Sequence, residues 1–134
     1  CEKALCCDPE LTAAYDHKGQ ALYNLERYEE ALEAYNQALR LDPNDAGRYH
    51  HKGNTLNVLK RYREALHAYE EALRLDFNFA QAYYGKGIAL TKLRRHEEAS
   101  IALRQALRLD PNVFGSSFRG FMLKKLLMVR QKRS

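Results

Sequence analysis

Apolar and small residues recur every three or four positions along most of the chain, in blocks that short polar stretches separate. In the block "EEALEAYNQALRL" these positions are Ala31, Ala34, Tyr35, Ala38, Leu39 and Leu41. This spacing puts them on one face of an amphipathic helix. A second block of helical spacing, "AAYDHKGQALYNL", precedes it, and the polar stretch "ERYE" joins the two. The pattern therefore predicts a pair of helices connected by a short turn.

The predicted pair of helices occurs three times in the sequence. Three similar strings begin at the evenly spaced positions 29, 63 and 97 and agree at nine of their seventeen positions. They are "EEALEAYNQALRLDPND", "REALHAYEEALRLDFNF" and "EEASIALRQALRLDPNV". Such a fixed period indicates a stack of like units, because one unit cannot bury its apolar face alone. We expect an all-α fold, a right-handed superhelical solenoid of antiparallel helical hairpins. The expected division is the end of a partial upstream unit (1–11), three complete units (12–45, 46–79 and 80–113), and a closing helix with a basic tail (114–134).

The net charge of +5 is concentrated at the C-terminal end. Six Lys or Arg and no acidic residue follow position 111, so the rest of the chain is nearly neutral. Three interpretations of this tail remain open: a closing helix with a soluble basic face, a contact for an acidic protein, or, least favoured, a contact for nucleic acid or an anionic membrane. The apolar positions of the expected closing helix are Phe118, Phe121, Met122, Leu126 and Val129.

The N-terminal end carries all three cysteines, Cys1, Cys6 and Cys7. Their spacing matches no metal finger, and neighbouring cysteines rarely pair, so reduced thiols and a cytoplasmic location are expected. No signal peptide is visible, and no apolar run approaches the roughly 20 residues that span a bilayer. Because the sequence opens in what would be the middle of a helix, we expect it to be a piece of a longer array.

The sequence contains no arrangement of residues typical of catalysis. It has no nucleophile elbow, phosphate-binding loop or metalloprotease histidine pair. Its paired carboxylates lie at helix starts, where they interact favourably with the helix dipole. We therefore expect no enzymatic activity and no cofactor.

Each unit resembles a tetratricopeptide repeat. In the family pattern an aromatic residue is followed by Gly four positions later and by Ala twelve positions after that Gly. A second aromatic residue follows after four more positions, a second Ala after another three, and Pro after another five. The first unit meets it with Tyr15, Gly19, Ala31, Tyr35, Ala38 and Pro43, and the other two units carry the pattern at the corresponding positions. The departures are Phe77, in place of Pro, and Leu103, in place of the second aromatic. We expect the glycines to let the two helices of a unit cross closely, and Phe77 and Phe79 to pack beneath the turn.

The resemblance implies that the first helix of each unit lines a concave groove. Residues at these positions are mostly polar, and we expect them to have no role in the core. The candidate groove residues are Asp16, His17, Gln20, Tyr23, Asn24, His50, His51, Asn54, Asn57, Gln81, Tyr84, Ile88 and Lys92. Such a surface suits an extended peptide or a short helix of a partner. The predicted function is a non-catalytic protein–protein interaction scaffold.

Family members that hold the acidic tail of heat-shock chaperones use Lys and Asn in the first unit, Asn in the second, and Lys and Arg in the third. The matching positions here are Asp16, Gln20, His51, Gln81 and Gly85. None carries the required residue, and Asp16 would repel a carboxylate. The resemblance therefore implies that a chaperone tail is not the partner.

Other interpretations are weaker or belong to another class. Asp16, His17, His50 and His51 could in principle bind a metal ion, but equivalent residues of adjacent repeats lie about 10 Å apart, so no metal site is expected. The chain could instead be a regulatory or sensor module of a larger enzyme or signalling protein. It could also self-associate by end-to-end stacking of units.

Overall fold

Six α-helices make up the part of the chain that the structure, a computed structural model, describes, residues 9–113. They are α1 (Pro9–Asn24), α2 (Tyr28–Leu41), α3 (Ala46–Val58), α4 (Tyr62–Leu75), α5 (Ala80–Lys92) and α6 (His96–Leu109). No strand occurs within these residues. The expectations for the three cysteines and for the closing helix with its basic tail lie outside the described residues.

The helices pack as three hairpins in sequence order. Within the hairpins α1 packs on α2, α3 on α4 and α5 on α6, and successive hairpins meet where α2 packs on α3 and α4 on α5. Helices α3 and α5 also contact each other directly. The predicted all-α solenoid of helical hairpins is thereby confirmed, and its first helices form one layer.

Glycine makes room for a large side chain at each of the first two hairpin crossings. A Cβ atom built on Gly19 would lie 2.7 Å from a ring carbon of Tyr35, and one on Gly53 would lie 2.7 Å from a ring carbon of Tyr69. Tyr35 and Tyr69 are the largest fully buried side chains among the described residues. The expected close crossing of the two helices is confirmed, and it brings each tyrosine into the core.

A residue with left-handed backbone conformation ends the first helix of every hairpin. The φ angles are 63° at Glu26, 62° at Lys60 and 64° at Arg94. In the middle hairpin the N–H of Arg61 donates to the carbonyl of Leu56 at 2.9 Å, and that of Lys60 donates to Asn57 at 3.0 Å. This is the Schellman arrangement, in which glycine is preferred at the position of Lys60 because it has no Cβ.

We expect Lys60→Gly to raise the free energy of unfolding by about 1 kcal/mol, because glycine removes the cost of the left-handed conformation. Urea denaturation measures the change. Lys60→Ala is the matched control, since alanine keeps the Cβ and should give no gain. An equal gain from both substitutions would attribute the effect to the loss of the lysine side chain.

The expectation for Phe77 is wrong, because its side chain is 73% exposed. Phe79, in contrast, is half-buried and packs on the core. The turn is fixed in another way: the Asp76 carboxylate accepts a hydrogen bond from the N–H of Asn78 at 3.2 Å. The same bond joins Asp42 to Asn44 and Asp110 to Asn112. An aspartate two positions before the asparagine therefore holds all three connections, and proline is dispensable in the middle one.

Candidate binding groove

The first helices α1, α3 and α5 carry all thirteen candidate groove residues, and the structure divides them by exposure. The exposed members are His17, Gln20, Asn24, Gln81 and Lys92. The half-buried members are Asp16, Tyr23, His50, His51, Asn54, Asn57, Tyr84 and Ile88. The first group is therefore the more accessible to a ligand.

Asn54 and Asn57 bind the hydroxyl of the buried Tyr69. The hydroxyl donates to Oδ1 of Asn54, and Nδ2 of Asn57 donates to the hydroxyl at 3.1 Å. The same Nδ2 lies 3.4 Å from the backbone oxygen of Gly85 in the next hairpin. Both amides thus satisfy a polar group inside the core and connect α3, α4 and α5. The expectation that groove residues have no role in the core is wrong for these two.

Asp16 is held by Arg48, a residue that the sequence reasoning missed. Nε of Arg48 donates to Asp16 at 3.2 Å, and Nη1 lies 3.2 Å from both Asp42 and Asp45. The Arg48 side chain is only 12% exposed. Asp45 also caps α3 by accepting from the N–H of Arg48 at 3.2 Å. The guanidinium therefore joins the first two hairpins, and the charge of Asp16 is directed into that junction.

The sequence did contain a signal for this ion pair. The residues at the position of Arg48 in the first and third units are Ala14 and Ala82. A long cation in one unit, where the others have alanine, indicates a contact specific to that unit.

We expect Arg48→Ala to lower the free energy of unfolding by about 2 kcal/mol, because it leaves three carboxylates close together without their common cation. Part of this loss should be recovered at high salt, which screens the repulsion between the carboxylates. Thermal denaturation at two ionic strengths tests both points. Arg63→Ala, at an exposed position of α4, is the control and should change neither value.

His51 lies at the junction of the first and second hairpins, and His50 lies near the junction of the second and third. The His51 ring stacks on Tyr35 with centroids 5.7 Å apart, and the His50 ring lies 5.0 Å from that of Phe79. Burial, together with the neighbouring His51, lowers the pKa of His50 to about 4. His50 is therefore neutral near pH 7.

The hydrogen bonds also assign the tautomer of His50. Its Nε2 lies 3.4 Å from Nδ2 of Asn54, whose Oδ1 already accepts from Tyr69. The amide nitrogen is a donor only, so Nε2 must be the acceptor and the ring proton is on Nδ1. His50 thus extends the polar network of Tyr69 toward the groove.

The metal hypothesis gains no support from this geometry. Within residues 9–113 no group of three His, Cys, Asp or Glu side chains is placed to hold a metal ion. Asp16 faces Arg48, and His51 stacks on an aromatic ring. In the same part of the chain no helix is long and apolar enough to cross a membrane.

The accessible surface of the candidate groove is mostly polar and carries little charge. Val58, at the end of α3, adds an apolar side chain that is 42% exposed. Half-buried Ile88 and Tyr84 continue the surface on α5, and Lys92 is the one Lys or Arg among the thirteen candidates. Amides and aromatic rings of this kind suit hydrogen bonding and apolar contact with a peptide.

Comparisons with known proteins agree with this fold. A family model described as "TPR repeat" matches residues 19–57, and one described as "Tetratricopeptide repeat" matches residues 53–113. No curated protein sequence matches the chain.

Several solved structures superpose on the chain over most of its length. The Arabidopsis OM64 TPR domain is 26% identical, with a TM-score of 0.80 over 87% of this chain and 94% of that one. The first TPR of Spaghetti (RPAP3), bound to HSP90 peptide SRMEEVD, is 22% identical, with a TM-score of 0.82 over 92% and 96%. The second TPR domain of human RPAP3, in complex with HSP70 peptide SGPTIEEVD, is 24% identical, with a TM-score of 0.78 over 89% and 98%.

The sequence period, the hairpin geometry and the two family models all point to the same assignment, and together the models cover residues 19–113. The chain belongs to the tetratricopeptide repeat family.

Proposed function

We propose that the groove formed by α1, α3 and α5 binds a peptide segment of a protein partner, and that the chain acts as a non-catalytic interaction scaffold. The observation that carries this proposal is the continuous set of polar and aromatic side chains that three successive first helices present. The hydrogen bonds of Tyr69 with Asn54 and Asn57 fix the middle of that surface. A pre-organised surface of this kind lowers the entropic cost of binding.

The ligand that fits this surface best is an uncharged or weakly charged segment. Amide side chains such as Gln20, Asn24 and Gln81 are exposed and can bond to a peptide backbone. Val58 supplies an apolar contact beside them. With Lys92 as the single cation among the candidates, the groove offers little attraction to a strongly acidic ligand.

An acidic chaperone tail is the second candidate, since two solved relatives of the same fold hold peptides ending in EEVD. We propose that this chain does not share that specificity. Asp16 supplies no cation to the groove and pairs with Arg48, and Gly85 has no room for a Lys or Arg side chain. A Cβ there would lie 2.6 Å from the hydroxyl oxygen of Tyr69.

Selection of peptides from a random display library on the immobilised protein tests the proposal. The triple variant His17→Ala, Gln81→Ala, Lys92→Ala changes exposed groove positions and should weaken the selected peptides about tenfold while leaving the melting temperature unchanged. The control variant Glu33→Ala, Arg63→Ala, Arg104→Ala changes exposed positions on the second helices and should leave binding intact. Peptides that respond to the control and not to the groove variant would refute the groove.

The chaperone alternative is tested in parallel by titrating SRMEEVD and SGPTIEEVD into the wild-type protein. We expect no saturable binding at concentrations where the selected peptides saturate. Binding that Lys92→Ala weakens and high salt abolishes would instead establish the acidic tail as a ligand.

A further inference from the structure

A crevice lies on the opposite side of α3 from the groove. It runs between α2 and α4, with α3 as its floor, and consists of two neighbouring parts that share Tyr49 and Lys52 as lining residues. One part, of about 370 Å³, is also lined by Asn36, Leu39 and Arg40. The other, of about 360 Å³, is also lined by Leu56, Glu64, His67, Ala68 and Glu71. These residues define the outer crevice.

Lys52 lacks the partner that its counterpart has in the next repeat. Lys86, at the same position of the following unit, forms an ion pair with Glu70 at 3.8 Å. The residue equivalent to Glu70 at the first junction is Asn36, which lines the outer crevice together with Lys52. An amide therefore stands where the neighbouring junction has a carboxylate.

Arg40 shows the same difference. Its counterpart Arg74 binds Glu71, with Nη2 and Oε1 3.0 Å apart. The residue equivalent to Glu71 in the first unit is Gln37. Within the part of the chain that the structure describes, neither Lys52 nor Arg40 takes part in any ion pair. Two adjacent carboxylates of the second unit are thus replaced by two amides in the first.

The acidic residues of the outer crevice form no ion pair with these cations, because each binds an arginine, and Glu64 acts on Lys52 only at longer range. Glu64 accepts two hydrogen bonds from Arg61, at 2.9 and 2.8 Å. Glu71 is bound by Arg74. Lys52 and Arg40 are thus the two cations of the outer crevice without a carboxylate at ion-pair distance. Burial lowers the pKa of Lys52, and an anion placed beside it would offset that desolvation.

We propose that the outer crevice binds a carboxylate-bearing segment of a protein partner, with an Asp or Glu side chain between Lys52 and Arg40. Leu39 and Tyr49 line the same part of the crevice and would contact the methylene groups of such a side chain. The chain would then have two independent binding surfaces, a groove with little charge on one side and, on the other, a crevice that is cationic in the part lined by Arg40 and Lys52.

An N-acetylated, C-terminally amidated hexaglutamate peptide is a suitable probe, because all its charge is on side chains. We expect its titration into the full chain to shift the NMR signals of Leu39, Tyr49 and Lys52 in a saturable way. The double variant Asn36→Glu, Gln37→Glu rebuilds the carboxylates of the second junction, and should weaken these shifts at least tenfold. The fold should be retained, since the new acids can pair with Lys52 and Arg40.

The matched control is Lys86→Gln, which removes the equivalent cation of the next unit, already paired with Glu70 and outside the outer crevice; it should change the affinity less than twofold. Equal affinity of the wild type and the Asn36→Glu, Gln37→Glu variant would overturn the proposal. So would shifts that appear only outside the outer crevice.

Inorganic phosphate is titrated as a separate probe. If phosphate shifts the same signals at equal or lower concentration than the peptide, the site is for a free anion and the protein-segment proposal fails. The groove variant used above should bind hexaglutamate normally, so the two proposals fail separately.

Discussion

Gly85→Ala should lower the free energy of unfolding by about 3 kcal/mol, although alanine is normally the better helix former by about 1 kcal/mol. A Cβ at this position would lie 2.6 Å from the hydroxyl oxygen of Tyr69 and closer still to its ring. The ring is fully buried and has Gly53 against it as well, so it has no space to withdraw. Any displacement would also break the hydrogen bonds of the hydroxyl with Asn54 and Asn57. Overpacking and lost hydrogen bonds therefore act together.

A double-mutant cycle with Tyr69→Leu isolates this contact. The third unit has Leu103 at the equivalent position, so the fold accepts leucine there. In the Tyr69→Leu background the ring is gone, and Gly85→Ala should cost nothing or become stabilising. Gly47→Ala is the control for helix propensity, because a Cβ there meets only a side-chain oxygen of Asp45 at 3.2 Å. Equal costs for Gly85→Ala in both backgrounds would show that the ring is not responsible.

The second large effect is a loss of stability in acid that originates at His50. Its pKa in the folded protein, about 4, lies below the ordinary value of 6.5. The folded state therefore favours the neutral ring, and the unfolded chain takes up the proton first as the pH falls. The contribution is fully present above about pH 6.5 and is lost progressively on acidification, by about 2 kcal/mol at pH 5 and about 3 kcal/mol at pH 4.

The difference in unfolding free energy between wild type and His50→Gln, followed by urea denaturation from pH 7.5 to 4, measures this contribution. The titrations of Asp and Glu residues are common to both proteins and cancel. The groups next to the ring are His51, Phe79, Tyr69 and Asn54, so no carboxylate faces it. The wild type should lose stability more steeply than the variant, whereas His17→Gln, at an exposed position, should leave the slope unchanged. Parallel curves for wild type and His50→Gln would show that the ring is not buried as described.

The sequence by itself determined the architecture of this protein. The spacing of apolar residues predicted two helices in each of the three complete units, and the fixed period of the repeat predicted that these stack as like hairpins. Recurrent Gly19, Gly53 and Gly87 marked the close crossings. These properties depend on local helical geometry and on identical contacts in every unit, so a regular pattern along the chain is sufficient to reveal them. The groove positions followed from the resemblance to the family rather than from the pattern.

Only the tertiary structure decided how individual side chains are used. The sequence analysis predicted that Asn54 and Asn57 are groove residues without a role in the core. They instead bind Tyr69 from the next helix, 12 or 15 residues away in sequence. Asp16 was predicted to lie in the groove and to repel a carboxylate, whereas it pairs with Arg48, 32 residues away in sequence. Phe77 was predicted to pack beneath the turn, whereas its side chain is exposed. The pair of Asp16 and Arg48 arises where the units differ from one another, and all of these contacts depend on the distances between helices. The repeat therefore specifies the scaffold, whereas the exceptions to the repeat acquire their roles only when the helices have packed.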